Sequence, residues 1–111
     1  MEIALNRTFA ALSDPTRRAI LSTLLKGPAK VTQLAKPFKV SLPAISKHIR
    51  YLEKAGLLNR TKNGREHWCQ LNPGPMDEAL GWLNNQKQFW ENTLDSLEQF
   101  LEIQKKEKKN E

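Results

Sequence analysis

Apolar residues recur along the first part of the chain with the period of helices, and past residue 56 the period changes. Leu5, Phe9 and Leu12 stand at i, i+4, i+7 and predict a first helix with one apolar stripe. In Ser13-Asp14-Pro15, Asp14 suits an N-cap, and Pro15 suits the first helical position, where its missing N–H costs nothing. Ile20, Leu21, Leu24 and Leu25 give a second helix its buried face, and Gly27-Pro28 closes it. A short third helix is expected over about 32–36, with Val31, Leu34 and Ala35 as its apolar side and Pro37 as its stop. Phe38-Lys39-Val40 is a tight link to Ser41, the next N-cap. Leu42, Ile45, Ile49 and Leu52 recur at i, i+3, i+7, i+10 and predict a fourth helix. Pro43 is tolerated in its first turn, and Ala55-Gly56 ends it.

Strand-like runs follow. Residues 58–62 and 65–71 flank Asn63-Gly64. Asn-Gly between two such runs is the strongest short hairpin signal, because the favoured turn asks both central residues for positive φ. Alternation puts His67, Cys69 and Leu71 on one face, Trp68 and Gln70 on the other. Asn72-Pro73-Gly74-Pro75 breaks the pattern. A long helix is expected over about 76–104. Its stripe is Met76, Leu80, Leu83, Trp90, Leu94, Leu97 and Leu101, interrupted by Lys87 and widened by Trp82, Phe89 and Phe100. Residues 105–111 have no apolar side chain and are expected to fray.

Charge sharpens this outline. Lys and Arg total 18 against 12 Asp and Glu, a net +6. Residues 1–71 hold 13 basic and 4 acidic side chains; residues 72–111 hold 5 and 8. The first part therefore suits a polyanion and the second does not. The fourth helix carries Lys47, Arg50 and Lys54 at i, i+3, i+7 opposite its apolar face, with Ser46 beside them and Glu53 its one acid. Arg60, Lys62 and Arg65 mark the hairpin tip.

Length bounds the rest. The 111 residues predict one domain over 1–104, comprising a core of about 9–71 and the helix of about 76–104. No apolar run nears the roughly 18 residues of a membrane span, and the N-terminus lacks a secretory layout. The single cysteine has no partner for an internal disulfide. A cytoplasmic protein is expected.

A short helix, a turn and a basic helix is the layout of a helix-turn-helix, and a hairpin with a basic tip is a wing. The fold class expected is mainly α with a small β-hairpin, a winged helix-turn-helix with a long C-terminal helix. Its partner is double-stranded DNA, because a major groove roughly 12 Å wide admits one helix. Ser41, Pro43, Ser46 and Lys47 fall where base edges or nearby phosphates would be met, and Arg50, Lys54, Lys62 and Arg65 suit phosphates. Leu80, Leu83, Trp90, Leu94, Leu97 and Leu101, with Leu5 and Phe9 beside them, are the expected homodimer interface, since that stripe is too long for so small a domain to bury alone.

Residues 9–21, Phe-Ala-Ala-Leu-Ser-Asp-Pro-Thr-Arg-Arg-Ala-Ile-Leu, closely resemble the N-terminal motif of ArsR-type winged helix-turn-helix regulators. Residues 41–49, Ser-Leu-Pro-Ala-Ile-Ser-Lys-His-Ile, and 52–58, Leu-Glu-Lys-Ala-Gly-Leu-Leu, do so too. The resemblance runs from about Phe9 to Leu71 and implies a homodimeric transcriptional regulator, most often a repressor released by an inducer. It places the long helix where that family dimerises. The Ser-Leu-Pro-Ala-Ile-Ser form, with Trp82 and Phe89-Trp90-Glu91, is similar to a subgroup not built around metal sensing. Genes for that subgroup often neighbour genes for START-like lipid-binding proteins.

The family's thiolate metal sites use Cys-x-Cys on the short third helix, where this chain has Thr32-Gln33-Leu34-Ala35. Its other common site uses Asp, His and Glu along the C-terminal helix, and residues 76–104 contain no histidine. His48, His67 and Cys69 are split between helix and wing, short of the ligand set that a tight site needs. Neither metal nor cofactor is expected. Cys69 is read as a small buried hydrophobe, His48 as a packing residue, and Trp82, Phe89 and Trp90 as interface core rather than an inducer pocket. No catalytic motif nominates an enzyme. The rival readings are a protein-docking module with an incidental basic face and a metal- or redox-gated regulator. The sequence names no operator and no inducer.

Overall fold

A computed structural model of the chain describes residues 2–109. Helix α1 (Glu2–Leu12) is followed at once by α2 (Pro15–Leu24). The Asp14 carboxylate accepts a hydrogen bond from the Arg17 backbone N–H at 3.0 Å, satisfying a first-turn donor, and Pro15 follows it in the first turn. Ile20, Leu21 and Leu24 are buried, but Leu25 lies past the helix end and is exposed.

Strand β1 (Ala29–Lys30) is two residues long, too short to leave a period in the sequence. Helix α3 (Val31–Ala35) starts one residue before the expected position, where the Gln33 side chain accepts the Lys30 backbone N–H at 2.9 Å. Helix α4 (Leu42–Lys54) is capped by the Ser41 hydroxyl, which accepts from Ala44 N–H at 3.3 Å. Its buried face is Ile45, Ile49 and Leu52. Leu42, expected on that face, is exposed because it starts the first turn rather than facing the core.

Strands β2 (Leu58–Asn63) and β3 (Glu66–Leu71) form the hairpin, and β1 adds to the outer edge of β3, giving the antiparallel order β1-β3-β2. Asn63 pairs with Glu66, so the loop is Gly64-Arg65 and not Asn63-Gly64. Gly64 alone takes positive φ (+65°), with Arg65 negative, the φ signature of a type II′ turn. One glycine therefore supplies the left-handed residue, and Asn63 remains a strand residue.

Helix α5 (Gly74–Lys109) starts two residues before the expected position and continues through 105–109, where fraying was expected. Lysine and glutamate are good helix formers, and lysines near a C-terminus interact favourably with the helix dipole. Residues 110 and 111 of the expected tail lie outside the described residues. The chain divides after Ala79 into two compact units, the second being the remainder of α5. No described helix is long and apolar enough to cross a membrane.

The first unit has one core. Ile20, Leu34, Ile45, Ile49, Leu52, Leu57, Leu58 and Cys69 are almost wholly buried in it, with Ala11 and Ala29. It joins residues of four helices, α1 to α4, to the inner face of the sheet. Gly56 ends α4 at φ +79°, and a Cβ there would lie 3.4 Å from Pro75 Cγ. Asn72 Nδ2 donates to the Gly56 carbonyl at 2.8 Å, and Asn72 N–H donates to the Leu57 carbonyl at 3.0 Å. The segment leading into α5 is thus stitched to the end of α4.

The cap at Asp14 has a pH signature. The Arg17 backbone N–H holds its carboxyl below the usual aspartate range; burial opposes this, and the charges of His48 and Arg17 assist. A depressed folded-state pKa gives stability that is present above the unfolded pKa of about 3.9 and lost as pH falls through the folded pKa. Asp14→Ala is expected to cost about 1 kcal/mol in urea melts at pH 7. Asp14→Asn keeps the cap without the charge, so its difference from the native chain should close as pH drops below about 4.

Candidate nucleic-acid interface

Burial of Ile45, Ile49 and Leu52 fixes which way α4 turns its other side. Pro43, Lys47, Arg50 and Lys54 are exposed there, and Ser46 is half-buried beside them. Between α4 and the wing lies a groove of about 440 Å³. It gathers three expected residues, Ser46, Arg50 and Arg65, and adds Lys30, Thr32, Arg60 and His67. Leu42, Val31 and Glu66 complete its lining. Lys30 and Thr32 escape a reading by period because β1, which brings that segment beside β3, is only two residues long. Arg60, noted at the hairpin tip, lies further down the wing, opposite Cys69.

The remaining expected residues are placed differently. Ser41 is engaged as the α4 cap. Lys62 is exposed on β2, opposite His67. Lys54 lines a second depression with Arg7, Tyr51 and Ala55, on the side of α4 away from the wing.

Two ion pairs frame the first groove. Lys30 Nζ meets Glu66 Oε1 at 2.9 Å, and Trp68 Nε1 donates to Glu66 Oε2 at 3.2 Å. Lys30 also lies 5.4 Å from the Trp68 ring centroid. The hydrogen bond from Lys30 holds the Glu66 carboxyl below its usual range. On the other wall, Arg60 Nη2 reaches Glu53 Oε1 at 3.5 Å, tying β2 to α4. The one acid of α4 is thereby occupied, and its outer stripe presents only cations.

Beside α4, Arg17 ties the helix to the end of α1. Its guanidinium donates to the carbonyls of Ala11 (2.8 Å) and Ala10 (3.0 Å) at the end of α1. It approaches His48 Nδ1 at 3.4 Å and stacks 4.1 Å from the centroid of the Tyr51 ring. His48 is half-buried by these contacts, with Asp14 Oδ2 at 3.8 Å from the same nitrogen.

Comparison with known proteins decides what this arrangement belongs to. The family model described as bacterial regulatory protein, arsR family, matches residues 14–60, which span α2 to β2. The chain is 33% identical over 81 residues to the transcriptional repressor SdpR of Bacillus subtilis (strain 168), covering 73% of this chain and 90% of that one. The chain belongs to the arsR family of bacterial regulatory proteins. A crystal structure of an ArsR family transcriptional regulator is 44% identical, with a TM-score of 0.78 over 82% of this chain and 94% of its own. A Mycobacterium bovis domain, titled a homodimeric winged helix-turn-helix DNA-binding domain, shares the fold at 20% identity and a TM-score of 0.62, over 78% of this chain and 82% of its own.

In this arsR-family chain, no group of three or more His, Cys, Asp and Glu among the described residues is placed to hold a metal ion. Cys69 is fully buried on β3. Burial pushes its thiol above the usual range; Arg60 partly offsets this and Glu53 adds to it. A thiol held protonated is a poor nucleophile. On α5, Leu80, Leu83, Trp90, Leu94, Leu97 and Leu101 are all exposed, Trp90 at 63%. Leu5 and Phe9, on α1, are half-buried.

Cys69 should therefore behave as packing. Iodoacetamide is expected to label it in the native protein only at the rate of unfolding. Cys69→Ser, which buries a hydroxyl in an apolar site, is expected to cost about 1–3 kcal/mol by denaturant melt.

Proposed function

We propose that this protein is a repressor that occupies a double-stranded DNA operator as a homodimer. The observation that carries the reading is the outer face of α4, where Lys47, Arg50 and Lys54 are exposed and the basic groove of the wing lies alongside. A helix docked in the major groove presents its early residues to base edges. Ser46 and Lys47 take that role, with Ser41 and Pro43 at the rim of the same face. Arg50, Lys54, Lys62 and Arg65 serve phosphates, which position the protein without reading sequence. Lys30, Thr32 and Arg60 join them, since they line the same groove. The protein would act in the cytoplasm, where a bacterial operator lies.

The second half of the reading rests on α5. Six large apolar side chains lie exposed along one stripe, and exposed apolar surface of that extent marks an interface. A second copy of the chain, presenting the same stripe, covers it by two-fold symmetry. Leu5 and Phe9 of α1 complete the pairing. Two copies give two recognition helices, matching an operator with two half-sites about one helical turn apart.

Base reading and phosphate anchoring separate experimentally. Lys47→Ala should cost on the order of 1–3 kcal/mol on the operator and flatten discrimination between sequences. Arg65→Ala should weaken operator and unrelated DNA by similar factors and reduce the log–log salt slope by about 1. If neither variant changes binding to any DNA in titrations at several salt concentrations, the basic face is incidental and a protein-docking role replaces the reading. Leu94→Glu with Leu97→Glu should yield monomers or unfolded chain by sedimentation; an unchanged dimer would move the interface elsewhere. Zinc, cadmium and arsenite at low micromolar level should leave the operator complex intact.

A further inference from the structure

The second depression, beside α4 on the side away from the wing, has no part in the reading above except through Lys54. It is an open groove of about 380 Å³ lined by Arg7, Tyr51, Lys54 and Ala55. That volume lies in the range of roughly 300–1,000 Å³ that takes small organic ligands. Its chemistry is one-sided. Two cations line it, and neither is among the ion-paired cations of the described residues, Lys30, His48, Arg60 and Lys87. The Tyr51 ring, the Ala55 methyl and the stems of Arg7 and Lys54 supply apolar wall. The Tyr51 ring has Arg17 stacked 4.1 Å from its centroid. A cation over the π-face polarises the phenol and strengthens its hydroxyl as a donor. Among the described residues, no acidic side chain lines the groove.

We propose that this groove binds a small organic anion with a flat apolar body, of the aryl carboxylate class. The carboxylate is held between Arg7 and Lys54, where the guanidinium gives it bidentate, charge-assisted hydrogen bonds. The ring packs on Tyr51 and Ala55. The site bridges α1 and the C-terminal end of α4. It therefore draws on Lys54, the residue that the DNA reading assigns to phosphate. Binding of the anion is a property of the free protein and stands whether or not the DNA reading holds. A DNA phosphate could use the same two cations, and the test distinguishes the two sources.

Salicylate serves as the probe, with benzyl alcohol supplying a ring without charge and inorganic phosphate a charge without a ring. The full chain, without DNA, is titrated and followed by NMR shifts of the Tyr51 ring and by calorimetry. Saturable shifts of Tyr51 with salicylate, much weaker with either control, support the proposal. Arg7→Gln and Lys54→Gln are each expected to weaken salicylate by about tenfold, whereas Lys26→Gln, on the exposed turn after α2, should leave it unchanged. Arg7 and Lys54 are exposed, so both variants should keep the native melt, which is checked alongside. Absence of saturable Tyr51 shifts overturns the proposal, as does equal salicylate binding by all variants. If Arg7→Gln weakens DNA while the free protein ignores salicylate, the groove is a phosphate contact and the anion site is refuted.

Discussion

One guanidinium holds the reading head together. Arg17 sits in the first turn of α2, yet its side chain closes the last carbonyls of α1 and touches two residues of α4. Helix ends leave backbone acceptors without partners, and a buried acceptor left so costs free energy. A five-donor planar group answers several such needs at once, which a lysine could not. Asp14 completes the joint by accepting the backbone N–H of the same residue. Three helices thus take their relative positions from a few polar contacts, with the apolar core filling the space behind them. The direction in which α4 shows its cations follows from that arrangement.

The wing depends on a different device. β3 is flanked on both sides, by β2 through a full six-residue register and by β1 through two residues. The β1 pairing is short, but it carries Lys30 to Glu66 and Trp68, and with them the near wall of the groove. Across the groove, the pair of Arg60 and Glu53 ties the far wall to α4. Exposed ion pairs of this kind add little stability. Their effect is geometric, since they hold the cations that line the groove at fixed separations.

Much of this was legible in the chain. Helical periods, the Asp14-Pro15 and Ser41 caps and the change of period after Gly56 give seven of the eight elements, and the motifs at residues 9–21, 41–49 and 52–58 together give the family resemblance. What escaped did so for physical reasons. β1 is too short to show alternation, so nothing in the period of the sequence brings Lys30 and Thr32 to the groove. The Asn-Gly pair suggested a turn with two left-handed residues, but one glycine sufficed and the loop moved by a position. The charged end of α5 carries no apolar signal, yet its residue types favour helix, and it is helical to Lys109. Leu42 fits the helical spacing of its neighbours, but spacing does not say where the first turn lies relative to the core. Lys54 reads as part of one cationic stripe, and only the fold shows that the stripe borders two different grooves.

The junction at Gly56 constrains how such a chain can vary. Its backbone has a left-handed φ of +79°, which disfavours residues with a Cβ, whereas the 3.4 Å from such a Cβ to Pro75 Cγ is an ordinary contact. Its carbonyl is also committed to Asn72. A compensating change at a neighbour cannot relieve the backbone condition. The cationic stripe of α4 carries no such backbone condition, since no described residue other than glycine has a positive φ. Its side chains are replaceable one at a time without disturbing the helix, whereas the turn that closes the helix is held close to one residue type.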